Sequence, residues 1–179
     1  LYGDGYVGER DYQLSNDNRP SWNRDSFKVT IYNVDIGEGI KRIGNEAFKG
    51  MSEIENVSIS NSVNSIGDSA FEECVTLTKI KIPNSVDSVG KEAFSGCTTL
   101  NKVDIYNPEM TFETSVFKNC DKEKLLIRSY QDSTAHDYAY DNNIKFEPFD
   151  GNYCRIEFYY DRKLDDSLTW EHQVIDLNE

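Results

Sequence analysis

The chain is 179 residues long, with a net charge of −13, 37% apolar and 12% aromatic residues. That length holds one domain, and so acidic a chain lacks the basic footprint needed for non-specific binding of nucleic acid or anionic membranes. The low apolar fraction leans towards disorder while the aromatic content argues for packing; no apolar run approaches the roughly 18 residues of a membrane span.

From residue 36 onward the chain repeats itself every 23 residues. Phe48, Phe71, Phe94 and Phe117 keep that step, as do Ala47, Ala70, Ala93 and Val116 just before them. Ile43, Ile66, Val89 and Phe112 form another column, and Met51, Cys74, Cys97 and Cys120 a further one. Gly44, Gly67 and Gly90 mark a fixed turn. Within a unit, Leu77-Thr78-Lys79-Ile80-Lys81-Ile82 alternates with period two, which predicts a half-buried strand. Pro83-Asn84-Ser85 turns the chain, Val86 and Val89 point back inward, and Gly90 precedes one expected turn of α- or 3₁₀-helix at Lys91–Phe94. One such unit cannot bury its apolar edge alone, so the units must stack as coils, each touching only its neighbours. Four fit, starting at Ile36, Ile59, Ile82 and Ile105.

The unit written from Ile82, Ile-Pro-Asn-Ser-Val-x-x-Val-Gly-x-x-Ala-Phe-x-x-Cys-x-x-Leu-x-x-Val, resembles the BspA-like leucine-rich repeat. Leu1-Tyr2-Gly3-Asp4-Gly5 and Pro20-Ser21-Trp22 resemble the strand and Pro-Trp element that precede such repeats. Ser133–Ala139 with Ile144-Lys145-Phe146 resembles their closing helix and strand. The resemblance implies a right-handed leucine-rich-repeat solenoid of the α/β repeat class, with a parallel sheet on one face and a cap at each end. The expected organisation is an N-terminal cap at 1–35, four repeats at 36–127 and a C-terminal cap at 128–149. It also implies a bacterial cell-surface or extracellular protein of adhesion or recognition, the segment itself carrying neither leader nor anchor. The fourth unit departs from the pattern: Pro108-Glu109-Met110 replaces Asn-Ser-Val, Glu113 replaces Gly, and the strand slips by one residue.

Residues 150–179 lie outside the resemblance and read as an appendage or the start of a further domain. Tyr153–Tyr160 is expected to be a strand, 161–167 a loop and Gln173–Leu177 a return strand.

Chemistry-bearing residues are few. Cys74, Cys97 and Cys120 share a column whose Cβ vectors run parallel, a poor geometry for bridging, so buried free thiols are expected. Cys154 stands outside that column. Asn61, Asn84 and Asn107 are expected to form a structural ladder, and His136 to face solvent on a closing helix capped by Ser133. His172 has no partner that spacing identifies, and Asp165-Asp166 is one acidic pair among 32 acids. With no Ser-His-Asp set, phosphate loop or metal-ligand spacing, the expectation is a protein without catalytic residues, metal or cofactor.

Strand alternation decides which residues point away from the core. Those are Asn56, Ser58 and Ser60, then Lys79, Lys81 and Pro83, then Lys102, Asp104 and Tyr106; allowing the slip, Lys124, Leu126 and Arg128 follow. Five bases against one acid make this face the candidate binding surface, formed by Lys79, Lys81, Lys102, Asp104, Tyr106, Lys124 and Arg128. It suits a protein or glycan with anionic character. The competing expectations are solvated lysines that discourage strand pairing, and a spacer or display scaffold with no ligand of its own.

Overall fold

The computed structural model describes residues 31–149 in full, together with the backbone of Tyr6–Val7, Ile156–Leu164 and Ser167–Ile175. The motifs at Leu1–Gly5 and Pro20–Trp22, the Asp165-Asp166 pair, Cys154 and the His172 side chain lie outside the described residues.

Strands β1 (Tyr6–Val7) and β2 (Asn33–Ile36) come first. Each coil that follows carries a two-residue and a four-residue strand. These are β3 (Arg42–Ile43) and β4 (Asn56–Ile59), β5 (Ser65–Ile66) and β6 (Lys79–Ile82), β7 (Ser88–Val89) and β8 (Lys102–Ile105), and β9 (Thr111–Phe112) and β10 (Leu126–Ser129). Helix α1 (Thr134–Asp141) and β11 (Lys145–Pro148) close the stack. Beyond them β12 (Ile156–Leu164) and β13 (Ser167–Ile175) pair antiparallel, from Ile156 opposite Ile175 to Leu164 opposite Ser167. The expected loop at 161–167 is therefore strand at 161–164 and again at Ser167, and the return strand begins at Ser167 rather than Gln173.

All solenoid ladders are parallel. The short strands join in the order β1-β3-β5-β7-β9, a second sheet that strand alternation alone does not single out. The long strands form β6-β8-β10-β11 and, separately, β2-β4. Between the sheets the Phe48, Phe71, Phe94 and Phe117 rings stack with centroids 5.2, 5.3 and 5.6 Å apart. Those steps lie close to the ~4.8 Å spacing of paired strands, so each ring rides on its own coil and meets its neighbours offset.

The expected helical turn at Lys91–Phe94 is instead a pair of hydrogen-bonded turns. Glu92 has φ 55°, and Glu46, Ser69 and Ser115 take the same left-handed conformation in their coils. A left-handed residue reverses the helical sense of the chain, so helix cannot propagate there. Its amide turns to the next coil: Glu46 N–H donates to Asp68 C=O at 2.8 Å and Ser69 N–H to Lys91 C=O at 2.9 Å.

Gly67 and Gly90 sit where coils approach most closely. A Cβ on Gly90 would lie 2.6 Å from the Asp68 backbone nitrogen and 2.7 Å from the Gly67 carbonyl carbon. In the distorted last coil, where Glu113 replaces this glycine, the corresponding bond from Glu92 N–H to Thr114 C=O stretches to 3.3 Å.

The thiols of Cys74, Cys97 and Cys120 are free and buried, each donating to the carbonyl of Phe48, Phe71 or Phe94 at 3.1–3.3 Å. Ser133 caps α1, its hydroxyl accepting from His136 N–H at 3.2 Å. His136 does not stand free in solvent: its ring stacks on Phe146 with centroids 4.4 Å apart.

Candidate binding face

The long strands bring three rows of outward positions into register. On β6-β8-β10-β11 one row runs Lys79, Lys102, Leu126 and Lys145 and the next Lys81, Asp104, Arg128 and Glu147; on β2-β4 the matching pairs are Asn33 with Asn56 and Asp35 with Ser58. Beyond the strand ends lie Ser60, Pro83 and Tyr106, with Tyr130 and Phe149 on the C-terminal side.

Lys79 and Lys81 are exposed on β6 and form no ion pair among the described residues. Lys102 is half-buried, its Nζ 3.8 Å from Asp104 Oδ1. Asp104 is only 6% exposed although it belongs to the outward set, because Arg128 comes across to it from the next strand, Nη1 to Oδ1 at 3.7 Å. Both distances exceed a hydrogen bond, and Oδ1 is buried without one. Lys81 lies opposite Asp104 in the ladder, yet the carboxylate pairs with Lys102 and Arg128 and leaves Lys81 free. Strand β11 adds a further acid: Glu147 Oε1 lies 3.1 Å from Arg128 Nε. The basic row is thus internally paired at its C-terminal end, and its unpaired charge gathers on β6.

Lys124 does not fall beside Lys102. The last strand pairs at a 24-residue step, which sets Leu126 opposite Lys102. Lys124 precedes β10 in a turn, where it donates to Asp121 Oδ2 at 2.7 Å. That bond holds the Asp121 carboxyl below its ordinary range and the Lys124 ammonium above it. Tyr106 stacks on Phe149, centroids 4.9 Å apart, and Arg128 stands 5.5 Å from the centre of the same Phe149 ring.

Spacing alone does not reveal the interruption between β4 and β6. These strands are neighbours but share no backbone ladder among the described residues. Ser60 N–H donates to Ile36 C=O and Tyr106 N–H to Ile82 C=O, each at 3.0 Å. Pro83 holds the corresponding place against Ile59 and has no N–H. The consequence shows in the core: Ile36, Ile82 and Ile105 are 0% exposed, whereas Val57 and Ile59 on β4 are only half-buried.

Two open depressions lie over this interruption. One, of about 600 Å³, covers Val57 and Ile59 and is flanked by Asn56, Ser58, Lys79 and Lys81. The other, of about 620 Å³, is bounded by Asn61, Asn84, Lys81, Pro83, Tyr106 and Tyr130. Both volumes fall in the usual range for ligand sites.

The expected asparagine ladder is not what holds these turns. Asn107 bonds Val86 C=O at 2.9 Å, but Asn61 and Asn84 are exposed and make no hydrogen bond among the described residues. The turns are tied by serines: Ser62 and Ser85 donate to Ile40 and Val63 carbonyls at 2.8 and 2.7 Å. A hydroxyl reaches the neighbouring coil from closer in, which leaves the longer carboxamides free.

Among the described residues there is no cluster of metal-ligating side chains, and no helix is long and apolar enough to cross a membrane.

Residues 24–147 match a family model described as BspA type leucine rich repeat region, in six copies. The matched span runs past both ends of the block 36–127 that spacing marks out. Among solved structures, the chain is similar to a leucine-rich repeat protein from Bacteroides ovatus ATCC 8483, at 22% identity and a TM-score of 0.54. The match covers 71% of this chain and 41% of that one, and at this identity it speaks for the fold alone. No curated protein matches the sequence.

Proposed function

Because the chain belongs to the BspA-type leucine-rich repeat family, we propose that it is a non-enzymatic recognition module of a bacterial cell surface or the space outside it, holding an anionic protein or glycan on the outward side of its long strands. Interaction and scaffolding are the roles of this fold, and extended solenoid faces serve them by repeating one contact position per coil. The observation that carries the reading is the pair Lys79 and Lys81, exposed and unpaired on a chain of net charge −13. An unpaired cation beside a half-buried apolar floor loses little on meeting an anion, whereas the paired Lys102, Asp104 and Arg128 must first be separated.

A second reading has its own support. Glu147 and Asp104 already neutralise Arg128, as expected of a spacer whose face is closed on itself. Screening the protein against acidic glycans and extracellular proteins at low and raised salt separates the two. A recognition module gives binding that weakens with salt and is lost in the Lys79→Glu/Lys81→Glu protein. A spacer binds nothing in the panel at either salt.

A further inference from the structure

Asn61 and Asn84 stand on successive turns at one edge of the β4–β6 interruption, both exposed and both without a hydrogen bond among the described residues. A free carboxamide offers two donors and an acceptor at once, and a sugar hydroxyl is likewise both donor and acceptor. The same depression holds Lys81, whose ammonium has no partner among the described residues. Its remaining lining includes Ile59 and the rings of Pro83, Tyr106 and Tyr130, of which the two tyrosines offer flat surfaces of the kind that pack against the C–H face of a pyranose ring. Phe149, stacked on Tyr106 and edge-on to Tyr130 at 5.2 Å, holds both rings in place.

We infer that this depression binds a saccharide unit carrying a carboxylate, its hydroxyls on Asn61 and Asn84, its carboxylate on Lys81 and its ring against Tyr106 and Pro83. The inference rests on the sheet side being the recognition face, and it names the ligand class at one place on that face. An acidic peptide is the less suitable occupant. An extended peptide gains most of its hold by adding a strand to an open sheet edge. Here β6 stays beside β4, so the gap leaves no free edge for an added strand.

The test uses ¹⁵N-labelled protein, including side-chain amides, titrated with a galacturonate trisaccharide, sialyllactose, their neutral counterparts and hexaglutamate. The expected result is that at least one acidic saccharide shifts the Asn61 and Asn84 carboxamide signals. Its affinity should fall on the order of tenfold in Asn61→Ala/Asn84→Ala, the worth of about one hydrogen bond. Both asparagines are exposed, and an unchanged melting temperature shows that the variant still folds. The inference is overturned if neither acidic saccharide moves those signals, if the double alanine variant binds as well as the parent, or if hexaglutamate binds equally well at the same residues. A salt-sensitive partner still lost in Lys79→Glu/Lys81→Glu would then leave the broader recognition reading standing; loss of neither kind of binding would remove both.

Discussion

Pro83 faces Ile59 as Tyr106 faces Ile82 one coil later, but where Tyr106 donates its N–H to the carbonyl at 3.0 Å, Pro83 has none to give. No ladder joins β4 and β6 along any of their length among the described residues, Val57 and Ile59 come half out of the core, and the depressions open beside them. Replacing Pro83 with Ser, the residue type at position 60, should restore the donor. Hydrogen exchange of the amides at 79–83 should slow, and the face between Lys81 and Ile59 should close. Net stability should change by no more than about 1 kcal/mol, since the recovered bond and the lost rigidity of proline are similar in size. Unchanged exchange at these amides would show that the interruption has another cause.

Glycine at position 90 is required by the neighbouring coil rather than by its own φ. Gly90→Ala places a methyl 2.6–2.7 Å from backbone atoms of Asp68 and Gly67, which cannot move without unstacking the coils. A loss of about 3 kcal/mol is expected, at the upper end of overpacking. Gly50→Ala is the contrasting case: the added methyl meets nothing within 4 Å, and only the φ of +72° opposes it. Its cost should stay near the ~1–2 kcal/mol of one left-handed residue. Denaturant melts of both variants check the order.

Asp104 and Arg128 should behave as a unit. Arg128→Met leaves a buried carboxylate with only the 3.8 Å contact to Lys102. The single variant should therefore be less stable than the double variant Asp104→Asn/Arg128→Met. A double-mutant cycle should return a coupling of about 1–3 kcal/mol. Additive effects would mean that Arg128 contributes through Glu147 and Phe149 instead.

The thiols give the chain an alkaline limit. Burial pushes Cys74 up from 9.0 to about 12 and Cys120 to about 11, and it raises Cys97 as well. In the unfolded chain they ionise near the ordinary 9.0. Above that pH the unfolded state releases protons that the folded state keeps, so stability falls as pH rises. The contribution is complete below pH 9.0 and lost progressively towards about 12. Urea melts across this range should show the decline, shallower in Cys74→Ala. At pH about 8, in a Cys154→Ser background, the three thiols should resist a disulfide reagent until the protein is denatured; labelling of any of the three in the native protein would contradict their burial.

The sequence made the stack legible because every coil uses the same positions. A column such as Phe48, Phe71, Phe94 and Phe117 can be read from spacing, and the structure stacks those rings. What spacing could not supply is what one coil lends the next. The one-residue slip of the last coil is readable, but its direction is not: only the pairing shows that it lengthens the step to 24, setting Leu126 and not Lys124 beside Lys102. Glu147 lies in a closing strand whose register against Arg128 no periodicity specifies. Asn61 and Asn84 share a column with Asn107, yet only Asn107 bonds the previous turn, because serine hydroxyls already serve the others. Pro83 reads from spacing only as a turn residue; that it is a missing donor beside Ile59 emerges once Ser60 and Tyr106 are seen donating from the same column.

The most direct measurement of the account is the affinity of an anionic partner, found by array, for the parent protein and for Lys79→Glu/Lys81→Glu. A control with the same charge change, Lys41→Glu/Lys91→Glu, alters exposed lysines away from the long strands. At about 0.05 M and about 0.3 M salt, the parent and the control should bind alike and weaken together. The β6 variant should lose binding at both. Equal binding by all three proteins, or equal loss in the control and the β6 variant, would contradict the assignment of this face.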